Sequence, residues 1–419
     1  MIKRILYVLL FLILLLHVLS AMELSPIPIT MQDAVKYAVD QNPRIRVAEA
    51  GVEKETGVKM GMWSLPQPEF ILSYEGVPRG TYFDTWASRK MMFGQRIEFP
   101  LKYLFRIQQQ SLLVESAGHA LDMEKLKLTT DVKVAYIDAL LTKEKYSLAL
   151  ENLRISSDLL KKAKLRYELG EEDSIDYLRA KLQKDRSENA IIAARTDHKE
   201  TMEKLILLLT GKKNDILNME IELIDSLKYT PIDINKLELG EKGLSNHFRL
   251  QIAEKELKAA SQALALAKSS YLPDFNFVYF KENKFNNPGF WGMQFGMSFP
   301  LWFLSDQRGQ IAEARAIVKI ADWNRAHEEN HLRSEYRTAV FILKEAEKQV
   351  KRFNEEILRE AEQVFKLASL NYKVGETSYI DLIFAQQSLI ETRSEYLDAL
   401  ASYNKSVIRI ELAVGHPLH

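Results

Sequence analysis

The chain contains no cysteine, which excludes a disulfide framework, a thiolate nucleophile and any Cys-ligated zinc or iron–sulfur site. The same absence removes the commonest lipid-attachment residue, so a bacterial lipoprotein form is not expected. Neither charge sign is in excess. Across 419 residues, 57 basic side chains stand against 57 acidic ones, so no bulk field draws the chain to nucleic acid and no such partner is expected. Beyond the first residues no window holds 18 consecutive apolar side chains, so a membrane could be entered only without transmembrane helices. Gly-x-Gly-x-x-Gly, P-loop and Gly-x-Ser-x-Gly patterns are missing from any strand-to-helix setting, so nothing supplies ATP hydrolysis, and neither enzymatic activity nor a cofactor is expected.

What is present begins with residues 1–21, MIKRILYVLLFLILLLHVLSA, where Lys3 and Arg4 precede an apolar run and Ser20 and Ala21 are small. This is the layout of a secretory signal peptide cleaved near Ser20 or Ala21; the run is short of the ~20 residues a spanning anchor needs.

Twelve prolines are distributed unevenly, and the windows 101–230 and 301–416 contain none. Both windows are rich in Ala, Leu, Glu, Lys, Gln and Arg, and an interior proline costs a helix ~3 kcal/mol, so both read as helical. Tyr167-Glu-Leu-Gly170 and Tyr372-Lys-Val-Gly375 interrupt them about midway. Each glycine is followed by a polar step and a new helical pattern, the sign of a sharp helix–turn–helix. Each window is therefore expected to be a hairpin of two long helices, the arm over 101–169 reaching ~100 Å and packing as a coiled coil. Residues 66–105 and 271–305, by contrast, hold 21 of the 41 aromatic side chains. Extended patterns over 69–74, 91–99, 274–280 and 292–299 predict two β-hairpins, either a small soluble sheet or membrane strands with aromatic belts.

The chain is written twice. Asn42-Pro-Arg-Ile45 leads to Pro68-Glu-Phe70 as His247-Phe-Arg-Leu250 leads to Pro273-Asp-Phe275. Phe99-Pro-Leu101 recurs as Phe299-Pro-Leu301, and Tyr167, Gly170, Asp176 and Ala180 recur as Tyr372, Gly375, Asp381 and Ala385. The expected organisation is a first repeat over 22–211 (helix, β-hairpin 69–99, helical hairpin 101–210) and a linker over 212–240. A second repeat follows over 241–419 (helix, β-hairpin 274–299, helical hairpin 304–414). Four strands cannot close a barrel, so strands in lipid would require several chains to share one. Two chains would give eight strands, filled by their own side chains, and three would give twelve, which leaves a conduit.

With Ile29-Thr-Met-Gln-Asp-Ala34, Asn42-Pro43, the Leu65-Pro-x-Pro-Glu-Phe70 segment and the two Tyr-x-x-Gly-(x)5-Asp turns, the chain resembles the TolC-type outer-membrane efflux proteins. Pro66-Gln-Pro-Glu-Phe-Ile-Leu-Ser-Tyr-Glu75 is most similar to the heavy-metal efflux branch of the CzcC and CusC type. The resemblance implies a mainly α protomer with a β-hairpin pair, duplicated, its four strands contributed to a trimeric twelve-stranded transmembrane β-barrel in outer-membrane lipid. It further implies a helical tunnel in the periplasm of a Gram-negative bacterium. The implied role is the exit duct of a tripartite pump of the RND type, a homotrimer docking with a periplasmic adaptor protein and an inner-membrane transporter to export metal ions or drugs. Type I protein secretion is the alternative within that class.

In that family the tunnel closes at its periplasmic tip through tyrosine, arginine and aspartate contacts. By position the tip residues here are Tyr167, Gly170 and Asp176 in the first turn and Tyr372, Gly375, Asp381 and Phe384 in the second. Thr377 stands where TolC itself has arginine, and Phe384 replaces a second aspartate, so a ring around Asp381 and Phe384 is expected in place of the ionic links. Asp176 and Asp381 could instead merely favour a helix N-terminus.

His327-Glu-Glu-Asn-His331 matches His-Glu-x-x-His, two zinc ligands one helical turn apart with a general base beside them. No histidine follows before His416, and only Glu345, Glu347 or Glu355 could be offered as a third ligand, so the segment reads as a solvated helix face with no metal. The remaining function class is a structural periplasmic coiled-coil protein whose aromatic hairpins dock soluble partners.

Overall fold

A computed structural model describes residues 27–80, 85–170, 173–210, 221–232, 245–284, 287–299 and 306–415. The expected signal peptide, most of the linker, the ends of both repeats and residues 300–305 lie outside these. The order is β1 (Ile27–Ile29), α1 (Met31–Gln41), α2 (Pro43–Gly61), β2 (Glu69–Glu75), β3 (Ser88–Ile97), α3 (Pro100–Glu168), α4 (Ser174–Leu209) and β4 (Ile221–Leu223). The chain continues with α5 (Phe248–Ser269), β5 (Asp274–Lys284), β6 (Asn287–Ser298), α6 (Asp306–Arg352), a π-helical turn (Phe353–Ile357), α7 (Leu358–Val374) and α8 (Tyr379–Val414). Both predicted hairpins and both long helical hairpins are present, with strands up to five residues longer at the loop ends than the sequence pattern suggested.

The chain separates into two compact units. One gathers the described residues of Met1–Ile45, Lys125–Glu238 and Glu335–His419, the other Arg46–Glu124 and Leu239–Ser334. In the first unit, the end of α3 packs with α4, α7 and α8 around Leu159, Ala163, Ala180, Tyr372, Tyr379 and Leu382. Residues 159 and 163, like 382, 385 and 389, recur at three- and four-residue spacing, so each helix turns one stripe to this core. A buried polar layer crosses the same arms: Gln386 donates to Asn152 Oδ1 at 2.8 Å and Ser156 Oγ at 2.9 Å, and Ser156 meets Ser187 at 2.9 Å.

One pairing in this unit left no trace in the sequence reading. β1 and β4 form a two-stranded parallel sheet, Ile27 opposite Ile221 and Ile29 opposite Leu223. The buried Tyr136 donates to Ile29 O and Asp225 Oδ2, both at 2.9 Å, so part of the expected linker is bound to the first repeat.

The duplicated helix starts keep one geometry with different chemistry. Asn42 Oδ1 accepts from Arg44 N at 2.9 Å, and at the matching position His247 Nδ1 accepts from Arg249 N at 3.2 Å. Each side chain satisfies a backbone donor that the first helical turn leaves over.

In the second unit the four long strands form one antiparallel sheet in the order β2-β3-β5-β6, so the hairpins of the two repeats join through β3 and β5.

Candidate functional site: a two-faced sheet and a helical tip

Register and alternation divide the sheet residues into two sets. One face carries Phe70, Leu72 and Tyr74 of β2 and Met91, Phe93 and Ile97 of β3, with Arg89 and Gln95 among them. It continues with Phe275, Phe277 and Tyr279 of β5, then Lys281 and Asn283 toward the hairpin loop, and with Trp291, Met293, Phe295 and Met297 of β6. The opposite face is more polar: it carries Glu69, Ser73, Glu75, Ser88, Lys90, Arg96, Asn276, Glu282 and Gln294, with Gly94, Gly292 and Gly296, and among them the apolar Ile71, Met92, Val278, Phe280 and Phe290. Phe295 is 78% exposed and Trp291 65%, so the described residues leave this part of the apolar face open. A sheet in water buries its apolar side and shows its polar one; this sheet leaves both open, the pattern of a strand set with lipid on one side and an aqueous lumen on the other. Among the described residues, the edge strands β2 and β6 each have one side unpaired.

Where the strands meet the helices, Asp274 collects the joint. It is 8% exposed and accepts from Lys102 Nζ at 2.7 Å, Arg96 Nη2 at 2.8 Å and Phe99 N at 3.3 Å. Sequence reading quoted Asp274 only as part of the repeat; its role needs the strand order to be known.

At the helical tip, Gly170 and Gly375 both take the left-handed conformation, φ +76° and +82°, as the helix–turn–helix reading requires. Gly375 N reaches Tyr372 O at 3.3 Å and Glu376 N reaches Asn371 O at 2.9 Å, closing the end of α7. Ser378 then caps α8, accepting from Asp381 N at 3.3 Å while its hydroxyl donates to Asp381 Oδ2 at 2.6 Å. Asp176 pairs with Arg179 at 3.0 Å in the first turn of α4.

Tyr372 is buried in the core of the arms, whereas Tyr167 is exposed and stacks on Tyr177 at 5.6 Å. Asp381 and Phe384, one turn apart on α8, are exposed, Phe384 at 64%. The structure thus brings both turns to one end of the four arms, with Tyr372 inside and Asp381 and Phe384 on the surface.

The His-Glu-x-x-His segment lies on α6 with its two rings 6.1 Å apart. Glu328 is engaged by Arg249 at 2.7 Å, and the guanidinium also lies 3.2 Å from His331 Nδ1. Of the offered third ligands, Glu345 pairs with Lys348 at 2.7 Å and Glu347 with Lys351 at 2.9 Å. Among the described residues no group of three metal-ligating side chains is assembled, and no helix is long and apolar enough to cross a membrane.

Comparison with known proteins agrees with this geometry. Residues 239–416 match the family model described as outer membrane efflux protein. The cobalt-zinc-cadmium resistance protein CzcC of Cupriavidus metallidurans is 21% identical over 93% of this chain and 90% of its own. The CmeC outer membrane channel of Campylobacter jejuni superposes with a TM-score of 0.78 at 14% identity, covering 92% of this chain and 85% of that one. CusC, a transmembrane channel, superposes with a TM-score of 0.76 at 15% identity over 92% of each chain. Residues 239–416 thus carry the pattern of the outer membrane efflux protein family, whose channels are passive rather than enzymatic, and over nine-tenths of its length the chain has the fold of such channels.

Proposed function

We propose that this chain is the exit duct through which a tripartite pump discharges its cargo across the outer membrane. The observation that carries the reading is the sheet, predominantly apolar and aromatic on one face, richer in polar and glycine positions on the other, with β2 and β6 as its edges. An unpaired strand edge in hydrocarbon costs several kcal/mol per group, so β2 and β6 pair with neighbouring copies. Three copies give the smallest barrel whose lumen stays free of its own side chains.

The helical arms form a tunnel in the periplasm, where a periplasmic adaptor and an inner-membrane transporter supply cargo and energy. Asp381 and Phe384, side by side and exposed near the tip, form the closing ring, with Asp176 beside it. Metal ions are the cargo class, a reading supported by the likeness to CzcC along nearly the whole chain.

Native mass of the protein extracted by detergent from outer-membrane fractions tests the assembly. A three-chain mass is expected; a single-chain mass would overturn it. Asp381→Arg, read by ion conductance in planar bilayers, tests the ring, and unchanged conductance and selectivity would remove it.

A further inference from the structure

On the more polar face of the sheet, Phe280 is a large apolar side chain with a seat made for it. Phe280 of β5 lies directly opposite Gly292 of β6. A Cβ built on Gly292 would stand 2.5 Å from Phe280 Cζ and 2.9 Å from Cε1, well inside van der Waals contact, so the ring rests on the glycine backbone itself. Two further contacts hold it there. Lys90 Nζ stands over the ring at 4.8 Å from its centroid, and Phe290 meets it edge-on at 6.4 Å and 86°. The ring is half-buried by these neighbours although it projects from the face that carries Glu282, Lys90 and Gln294.

Resting on the proposed function, in which this face lines the lumen, we infer that Gly292 is a notch that keeps Phe280 flat against the wall, and that the position of this ring sets the free width of the barrel. Any side chain at 292 meets the far end of a flexible aromatic group rather than backbone, so the ring gives way by rotating about χ1 and χ2. With strand on three sides, the open direction is the lumen. Three rings, one per copy, then enter the same cross-section, and the passage narrows without a change in the strands. Gly94 and Gly296 have no such neighbour; a Cβ there meets nothing closer than 3.8 Å. Among the glycines of this face the effect is specific to Gly292.

The absence of native cysteine allows a direct reading that does not depend on the tip being open. Gln294 lies on the same face, one alternation further from the hairpin loop than Gly292, and is exposed. In a Gln294→Cys parent held in outer-membrane vesicles, the thiol is labelled from the extracellular side with a small methanethiosulfonate and with a polyethylene-glycol maleimide. Adding Gly292→Ala should slow the bulky reagent by about fivefold and leave the small one nearly unchanged, as expected of a narrowed pore lining. Adding Phe280→Ala as well should restore the parent rate, because the two changes act through one contact.

Equal bulky-reagent rates in parent and Gly292→Ala, or slowing that Phe280→Ala does not reverse, would overturn the notch. If the glycine variant fails to assemble, Phe280→Ala alone decides: faster bulky labelling supports the inference and an unchanged rate overturns it. A parent thiol that neither reagent reaches would overturn the lumen assignment itself, and the notch with it.

Discussion

Arg166 lays its guanidinium on the ring of Tyr372, Cζ 4.7 Å from the centroid, and the same ring meets Tyr379 at 5.7 Å. Arg166 stands in the last turn of α3 and Tyr372 in the last turn of α7, so the contact ties the two outgoing helices together just before their turns. Tyr379 begins α8 and brings the returning helix into the same cluster. Tyr372 is 2% exposed, and truncating a buried aromatic costs ~3–5 kcal/mol. Tyr372→Ala should therefore loosen the tip by about 3 kcal/mol, the low end because helix ends near a turn can collapse into the gap. Hydrogen exchange of backbone amides in α7 and the start of α8 should accelerate, with no change in β5 and β6. Unaltered exchange at the tip would refute the cluster's role.

In the same unit, Tyr403 donates to Thr230 O at 2.7 Å and packs on Tyr229 at 5.0 Å, and Tyr229 in turn donates to Glu347 at 2.9 Å. Burial, reinforced by the negative charges that Tyr229 and Glu347 would present, pushes the Tyr403 phenol up to about 12. A raised folded-state pKa contributes stability that is complete below the unfolded value of ~10 and lost as pH rises through the folded one. The native state should therefore lose about 2–3 kcal/mol from this group between pH 10 and 12. Tyr403→Phe should be weaker at neutral pH by the lost bond to Thr230, and flatter across the alkaline limb. Urea midpoints from pH 8 to 12 test this; parallel curves for variant and parent would sink the assignment.

Glu347 responds on the acid side. Its carboxylate accepts from Lys351 and from Tyr229, and these bonds hold its pKa below the ordinary value of 4.5 despite partial burial. A depressed carboxylate contributes stability that is present above its unfolded pKa and lost as pH falls through the folded one. Between pH 5 and 3, the parent's resistance to proteolysis within residues 224–232 should therefore fall, and Glu347→Gln should remove that dependence. A variant as acid-sensitive as the parent would show that the segment is held by other contacts.

How much of this was legible beforehand depends on the range over which the determining contact acts. The turns at Gly170 and Gly375 and the alternation from Met293 to Met297 are local and were read directly. The joining of β3 to β5 is set by residues that the sequence separates by nearly two hundred positions, and alternation carries no pairing information. β1 and β4 have three residues each, too few for any period to show. The π-helical turn at Phe353 had one faint signal: Tyr167 follows Phe99 by 68 residues, whereas Tyr372 follows Phe299 by 73. The five-residue difference exceeds one α-helical turn by about one residue, and a π turn is one way a helix absorbs such an added residue without breaking its packed stripe. Tyr372 was singled out as a tip residue, but no sequence rule says that it points into its own arms while Phe384 points away. That depends on which of four helices stands beside each one.

Asp274 offers a test of the strand-to-helix joint. Its side chain and that of Lys102 are 10% and 13% exposed, and removing one member of a largely buried pair leaves the other uncompensated. Asp274→Ala should cost about 2–3 kcal/mol, less than a fully buried pair because Arg96 remains hydrated. Breaking the exposed Arg46–Glu49 pair, whose side chains are 64% and 38% exposed, should cost under ~0.5 kcal/mol. Thermal midpoints in detergent compare the two directly, and equal shifts would show that burial at the joint has no energetic consequence.

The two faces of β6 predict opposite responses to the same charge. Phe295 belongs to the apolar face near the middle of the strand, and Gln294 is its immediate neighbour on the polar face. An arginine facing hydrocarbon near the bilayer midplane costs a barrel ~2–4 kcal/mol, and one facing the lumen costs little because it stays hydrated. Phe295→Arg should therefore reduce assembled protein in the outer membrane several-fold, with copies from each protomer multiplying the penalty, whereas Gln294→Arg should assemble normally and alter ion selectivity. Heat-resistant oligomer on gels and single-channel reversal potentials give the two readings. Equal tolerance of both substitutions would mean that neither face meets lipid, and would favour a soluble sheet over a shared barrel.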